Sequence, residues 1–362
     1  MLYVKKIKAD KMKFLKIFSF IILFSALAVS QTVRPIRDNI GFCWKASEMN
    51  KLMSYLKDHN RKENFSSKNL VAAISPHDDY LYAGNVYYPL YQLIKTKEVV
   101  IFGVTHGTVR KAMNDPQNVL IFDDYNEWHG PYSNVKISPL REYIKNKLNK
   151  NYFITSDKAQ DIEHSIEALV PFLQFYNRDI KITPIMVTAM PYERMENVTS
   201  RLAEIISEYV KENHLRLGKD IFFLISTDAN HYGKDFDNAP YGEDESAHTK
   251  ATNRDKEIAG TIFNGELNEN KIEELAQDLW PEMKANTVCP LWCGRYPVPF
   301  GLMTAEKVVK EVYSKKLTGK VFAYSDSWTE GVIPVWHTNL GLTAPFSLKH
   351  WVGYVSAGFY LK

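Results

Sequence analysis

The chain has 362 residues, 45% hydrophobic and 24% charged, an ordinary globular composition with enough apolar side chains for a sizeable core. Its net charge of +3 is concentrated in Lys5, Lys6, Lys8, Lys11, Lys13 and Lys16, opposed there only by Asp10. The remainder is nearly neutral, so charge gives no case for a nucleic-acid partner.

In chain order, the Lys-rich start runs into the apolar stretch Ile17-Phe18-Ser19-Phe20-Ile21-Ile22-Leu23-Phe24-Ser25-Ala26-Leu27-Ala28-Val29, and Ala28-Val29-Ser30 fits a small-x-small cleavage site. The stretch is short for a bilayer span. The expectation is a secretory signal peptide over residues 1–30, a domain over 31–362, export to the periplasm or beyond, and membrane contact only through the signal before cleavage. An uncleaved anchor, or initiation at Met12, is the alternative. No cysteine stands at the cleavage site, which argues against a lipoprotein. The three cysteines, Cys43, Cys289 and Cys293, allow one internal disulfide and leave one thiol over, for which metal ligation is one explanation.

A helical pattern covers 46–56. A strand-then-helix rhythm follows, with apolar runs at 70–74, 98–104, 180–187 and 221–225, and late strands at 321–324 and 353–359. Pro184 assigns the third run to an edge or irregular position. Helices are expected at 161–176, where Ile162, Ile166, Leu169, Val170 and Leu173 keep helical spacing, and at 195–212, 249–264, 271–279 and 303–314. Continuous apolar strands separated by helices predict a single α/β domain with a central, mainly parallel or mixed sheet flanked by helices.

Three of these strands run directly into histidine-bearing polar turns: Ser75-Pro76-His77-Asp78-Asp79-Tyr80, Thr105-His106-Gly107, and Ser226-Thr227-Asp228-Ala229-Asn230-His231-Tyr232-Gly233. Ligands gather outside the carboxyl ends of parallel strands, so His77, His106 and Asp228/His231 are predicted to share one crevice. A single histidine after a strand is commonly only a hydrogen-bonded structural residue; three such turns together point to a site. Glu163-His164 is placed at a helix start, with Asp161 as N-cap and Glu163 favouring the dipole. Cys289-Pro290-Leu291-Trp292-Cys293 is too loose for a zinc pair and leaves open a Cys289–Cys293 disulfide, or Cys43–Cys289 with Cys293 free. Asp123-Asp124 reads as a solvated turn, and His129, His248, His337 and His350 as surface or packing residues.

The ordered set Pro76-His77-x-x-Tyr80-x-Tyr82-x-Gly84, Thr105-His106, Glu163-His164-Ser165-x-Glu167, Ser226-Thr227-Asp228-x-x-His231-Tyr232-Gly233 and Cys293-Gly294-Arg295-x-Pro297 resembles the Memo-like family, whose bacterial members include protein B of the AmmeMemoRadiSam system. The resemblance implies a fold similar to the class III extradiol dioxygenases, with His77, His106 and Cys293 as metal ligands. The family's pocket Asp and His fall on Asp228 and His231, and its further His on His164. Imidazole and thiolate donors suit iron or copper. Asp78-Asp79 replace the family's Ala-Gly, and Cys43 stands where a pocket-facing residue is expected, which would bring a second thiol near the metal. Two functional readings follow. One is a non-haem metal-dependent oxidoreductase, dioxygenase-like, with His231, Asp228 and His164 as catalytic residues. The other is a binding module or envelope metal-binding protein, in which Tyr80, Tyr82, Tyr232, Trp292 and Arg295 line a groove for a small molecule or peptide.

Overall fold

The computed structural model describes residues 32–60, 65–281 and 289–362. The expected signal peptide lies outside these residues. Four parallel strands form the centre: β1 (Leu70–Ser75), β2 (Glu98–Val104), β3 (Lys181–Val187) and β4 (Ile221–Ser226), in the spatial order β3-β2-β4-β1. Beyond β1 the sheet continues antiparallel through the C-terminal strand and its partner, β5 (Leu317–Asp326) lying outside β6 (Trp351–Leu361). The sheet is therefore mixed, with a parallel heart, and Val33–Lys362 form one compact unit.

The central strands read as unbroken apolar runs because both faces are covered. Along β2, Val100 and Phe102 pack toward helices α1 (Tyr192–Glu212), α2 (Glu245–Phe263) and α3 (Pro297–Tyr313). The alternate residues Val99 and Ile101 pack toward Ala46–His59 and Tyr80–Tyr91 on the other face. The first of these helices follows its predicted stripe, burying Met49, Leu52, Met53 and Leu56. The second was not foreseen. Ten of its twelve residues are buried, so no polar face marks a period, and Pro89 lies inside it. Pro184 behaves as its chemistry requires. On the outer side of β3, Val135–Ile137 pairs with Lys181 and Ile182, Leu120–Phe122 pairs with Met186 and Val187, and Pro184 falls in the uncovered stretch between them.

The helix expected over 161–176 needs correction. Ser156 caps a short helix, Asp157–Asp161, by accepting a hydrogen bond from Ala159 N; a turn follows, then a 3-10 turn at Glu167–Leu169 and a helix at Val170–Tyr176. Asp161 thus ends a helix rather than starting one. The carboxylate of Glu163 accepts the backbone N–H groups of His164 and Ser165 at 2.9 Å each, and this local alternative competes with helical hydrogen bonding. Asp123 is likewise not solvated: it is fully buried against Arg141 and Trp128 Nε1.

The strand order positions the site. Since β4 lies between β2 and β1, the three polar turns that follow these strands emerge side by side, and Ser75 pairs directly with Ser226 at the rim.

Candidate metal centre

His77, His106 and Cys293 each offer a ligand atom within 4.8 Å of the other two. The same limit joins Asp228, His231 and Cys293, and also His106, Glu163 and His164. The predicted crevice therefore exists at the carboxyl ends of β1, β2 and β4, and His164 joins it: its ring stacks on that of His106 with centroids 4.6 Å apart.

The proton positions on two imidazoles follow from their partners. Ser226 Oγ gives its one proton to the carbonyl of Ser165 at 2.6 Å, so it accepts from His77 Nδ1 at 2.7 Å. His77 then presents Nε2 as a bare lone pair, 3.3 Å from Cys293 Sγ and 3.3 Å from Asp228 Oδ2. Glu163 accepts the Nδ1–H of His106 at 2.7 Å and its backbone N–H at 2.9 Å, which leaves His106 Nε2 bare as well. Burial pushes the Glu163 carboxyl up, but His106, His164 and these hydrogen bonds outweigh it and hold the group well below the usual carboxylate range. A carboxylate behind a histidine is the arrangement that fixes a metal-binding tautomer. In the sequence alone Glu163 signals only a helix start.

Cys293 is set by a close backbone approach. A Cβ on Gly294 would lie 2.2 Å from Thr227 Oγ1, and with only hydrogen there Gly294 N donates to that oxygen at 3.1 Å. Cys293 Sγ then accepts from Asp228 N at 3.1 Å. Burial pushes the thiol up, as it does the carboxyl of Asp228, which the nearby Asp78 raises further. Metal-capable nitrogen, sulfur and oxygen atoms thus converge at one point. His231 Nε2 and His164 Nδ1 are buried and have no hydrogen-bond partner. Burial, reinforced by His106, lowers His231 to about 3 and His164 to about 4, so both rings are neutral at neutral pH. This set of imidazole nitrogens and one sulfur fits a soft or borderline transition metal, iron or copper among them, and suits magnesium or calcium poorly.

Two clefts meet at the centre and share His231 and Phe236. The larger, about 420 Å³, is lined by His106, Cys293, Arg110, Arg295 and Tyr296 among others. The smaller, about 220 Å³, is lined by Asp78, Tyr82, His164, Asp228, Phe346 and Tyr354 among others. Of the predicted ligand-contacting residues, Tyr82 and Arg295 stand on cleft walls. Tyr80, Tyr232 and Trp292 are instead fully buried in the core, where Tyr80 donates to Ala168 O, Tyr232 to Gly242 O and Trp292 Nε1 to Asp255. Their aromatic spacing near the motifs reflected packing. Only one of the paired aspartates faces the cleft: Asp78 accepts from Tyr354 OH at 2.9 Å, while Asp79 turns away to Thr343 N at 2.6 Å. His350, read as a surface or packing residue, also lines the smaller cleft.

All three cysteines are free thiols. Cys43 is fully buried in the apolar cluster that contains Phe42 and Tyr80, and it belongs to none of the metal-capable groups. Cys289 directs its thiol to Leu279 O at 3.0 Å.

Comparison with known proteins places the chain in a family. The chain is 35% identical over 188 residues to a MEMO1 family protein of Aquifex aeolicus, a match covering 51% of this chain and 62% of that protein. It is 28% identical over 251 residues to a MEMO1 family protein of Saccharolobus islandicus, covering 67% and 74% respectively. A MEMO1 family protein of Pyrococcus furiosus is 28% identical over 189 residues, covering 49% and 59%. The match thus spans less than two thirds of the Aquifex and Pyrococcus proteins. The family described as Memo-like protein matches over residues 44–331, which contain every residue of the centre, and the chain belongs to that family.

Proposed function

We propose that this protein is an exported metal-dependent oxidoreductase of dioxygenase-like type, in which His77, His106 and Cys293 hold iron or copper. The observation that carries the reading is the preset tautomer of both histidines: Ser226 and Glu163 occupy the two Nδ1 atoms and leave both Nε2 lone pairs for a metal. Iron or copper bound there supplies electron transfer and O2 chemistry. The protein's own groups bind and orient a small molecule in the adjoining clefts. His231, neutral and without a partner at Nε2, is placed to take a proton from that molecule, and Asp228, 3.9 Å from it, to orient the ring. His164, also neutral and lining the smaller cleft with His231, is a second proton acceptor. The Lys-rich and apolar start of the sequence supports export.

The test is elemental analysis of the protein purified without oxygen and dialysed. About one equivalent of iron or copper is expected. Absence of any transition metal contradicts the reading.

A further inference from the structure

Nearly every described arginine donates its guanidinium to a carboxylate or a carbonyl. Arg34, Arg141, Arg201, Arg216 and Arg254 have ion pairs, and Arg37, Arg178 and Arg194 bond to backbone oxygens. Among the described residues the exceptions are Arg110 and Arg295, whose side chains have no hydrogen bond, ion pair or ring contact. Both line the larger cleft, and no aspartate or glutamate lines it with them. Arg295 is half-buried and follows Cys293 by two residues, whereas Arg110 is exposed. A half-buried guanidinium with no counter-charge, such as that of Arg295, is partly shielded from water, and an oxyanion seated in the cleft supplies the missing partner.

The smaller cleft carries no such cation. Asp78 and Asp228 face it with no lysine or arginine beside them on its lining, and its walls carry Tyr82, Phe346 and Tyr354. No lysine or arginine is there to seat an anionic group, while an uncharged aromatic or aliphatic body packs well against these walls. Two arginines on one side of His231 and Phe236, and aromatic walls without a lysine or arginine on the other, therefore orient a ligand.

We infer that the substrate is a small organic acid, with its oxyanion, a carboxylate or phosphate, held by Arg295 and Arg110 and its uncharged apolar part directed past His231 into the smaller cleft. This rests on the reading of the pocket as a substrate-binding metal centre. It adds the charge of the substrate, its direction in the site and two residues that select it.

The experiment is calorimetric titration of the full-length mature protein, metal-free and metal-loaded, with phenylpropionate, phenylpropanol, phenylpropylammonium and inorganic phosphate. The acid is expected to bind at least about tenfold more tightly than the alcohol or the ammonium analogue, and phosphate to compete with it. Phosphate that binds without competing with the acid contradicts the shared seat. Arg295→Gln is expected to weaken the acid by about ten- to a hundredfold while leaving the alcohol unchanged, and Arg110→Gln to weaken it less. The thermal midpoint of each variant, measured alongside, separates this from misfolding. Equal affinity for acid and alcohol, no measurable binding of either anion, or an Arg295→Gln protein that binds the acid as wild type does would overturn the inference. Metal content of the same samples keeps the two claims apart: metal retained without anion preference removes only the anion site, and anion preference without metal removes only the metal centre.

Discussion

Replacing Glu163 with glutamine tests the link between an unassigned carboxylate and the metal centre. Glu163 accepts four hydrogen bonds: His106 Nδ1, His164 N and Ser165 N on one oxygen, and His106 N on the other. Glutamine keeps one acceptor oxygen and turns the other into an NH2 group, which must face a donor. With the amide oxygen in the three-bond position, the His106 N–H is orphaned; with the amide flipped, His106 Nδ1 and two backbone groups are. The gentler case removes one bond to a charged acceptor and weakens the rest, about 2–4 kcal/mol of stability for a group that is 2% exposed. The charge that fixes the His106 tautomer is also lost, and removal of such a partner typically lowers metal affinity about 10- to 100-fold. Cobalt(II) titration against a competing chelator reads the affinity, and urea unfolding of the metal-free protein reads the stability. A Glu163→Gln protein that binds cobalt as tightly as wild type would refute the role given to this carboxylate. A loss of stability with no loss of affinity would confine Glu163 to the fold.

Further outcomes follow from other buried groups. Arg34, 2% exposed, is tied to the turns on either side of His164 through Gln160 O, Glu163 O and Glu167; Arg34→Met leaves the buried Glu167 carboxylate with two backbone N–H donors but no counter-charge, and is expected to cost about 3 kcal/mol in urea unfolding. Cys43→Ala should leave metal content unchanged, since that thiol lies in the core away from the centre, while Cys293→Ala should abolish retention; a metal loss in the Cys43 variant would contradict the placement. Burial holds Asp255 at about 7, above its ordinary 3.8, despite bonds from Trp292, Tyr324 and Asn230. A raised folded-state value means that the folded protein binds the proton more tightly, so this group's contribution is full below about pH 4 and is lost as pH rises through 7. Between pH 5 and 7.5 wild type should lose more stability than Asp255→Asn, and equal slopes in urea midpoints would contradict the assignment.

Much of the site could be read in the sequence because its chemistry sits at strand ends. Continuous apolar runs ending in Ser75, Val104 and Ser226 locate the strands, and the residues directly after them are the ones that converge. What escaped was set by contacts distant in sequence. The bond from Glu163 to His106 spans 57 residues and that from Ser226 to His77 spans 149, so no local pattern marks them. The helix Tyr80–Tyr91 lacks a polar face and so lacks a period. Tyr80, Tyr232 and Trp292 stand beside pocket residues in sequence, yet chain direction at each turn sends them inward. Arg110 carries no motif, and its interest appears only when its lack of a partner is seen beside that of Arg295.

The central claim is that Cys293 and two histidines form one metal site. X-ray absorption at the metal edge of protein loaded and kept without oxygen tests it most directly. The expected spectrum has one sulfur neighbour at about 2.3 Å together with nitrogen neighbours at about 2.0–2.1 Å, by analogy with thiolate and imidazole distances at zinc, and loses the sulfur shell in Cys293→Ser. A wild-type spectrum without sulfur, or a sulfur shell that persists in Cys293→Ser, would contradict it.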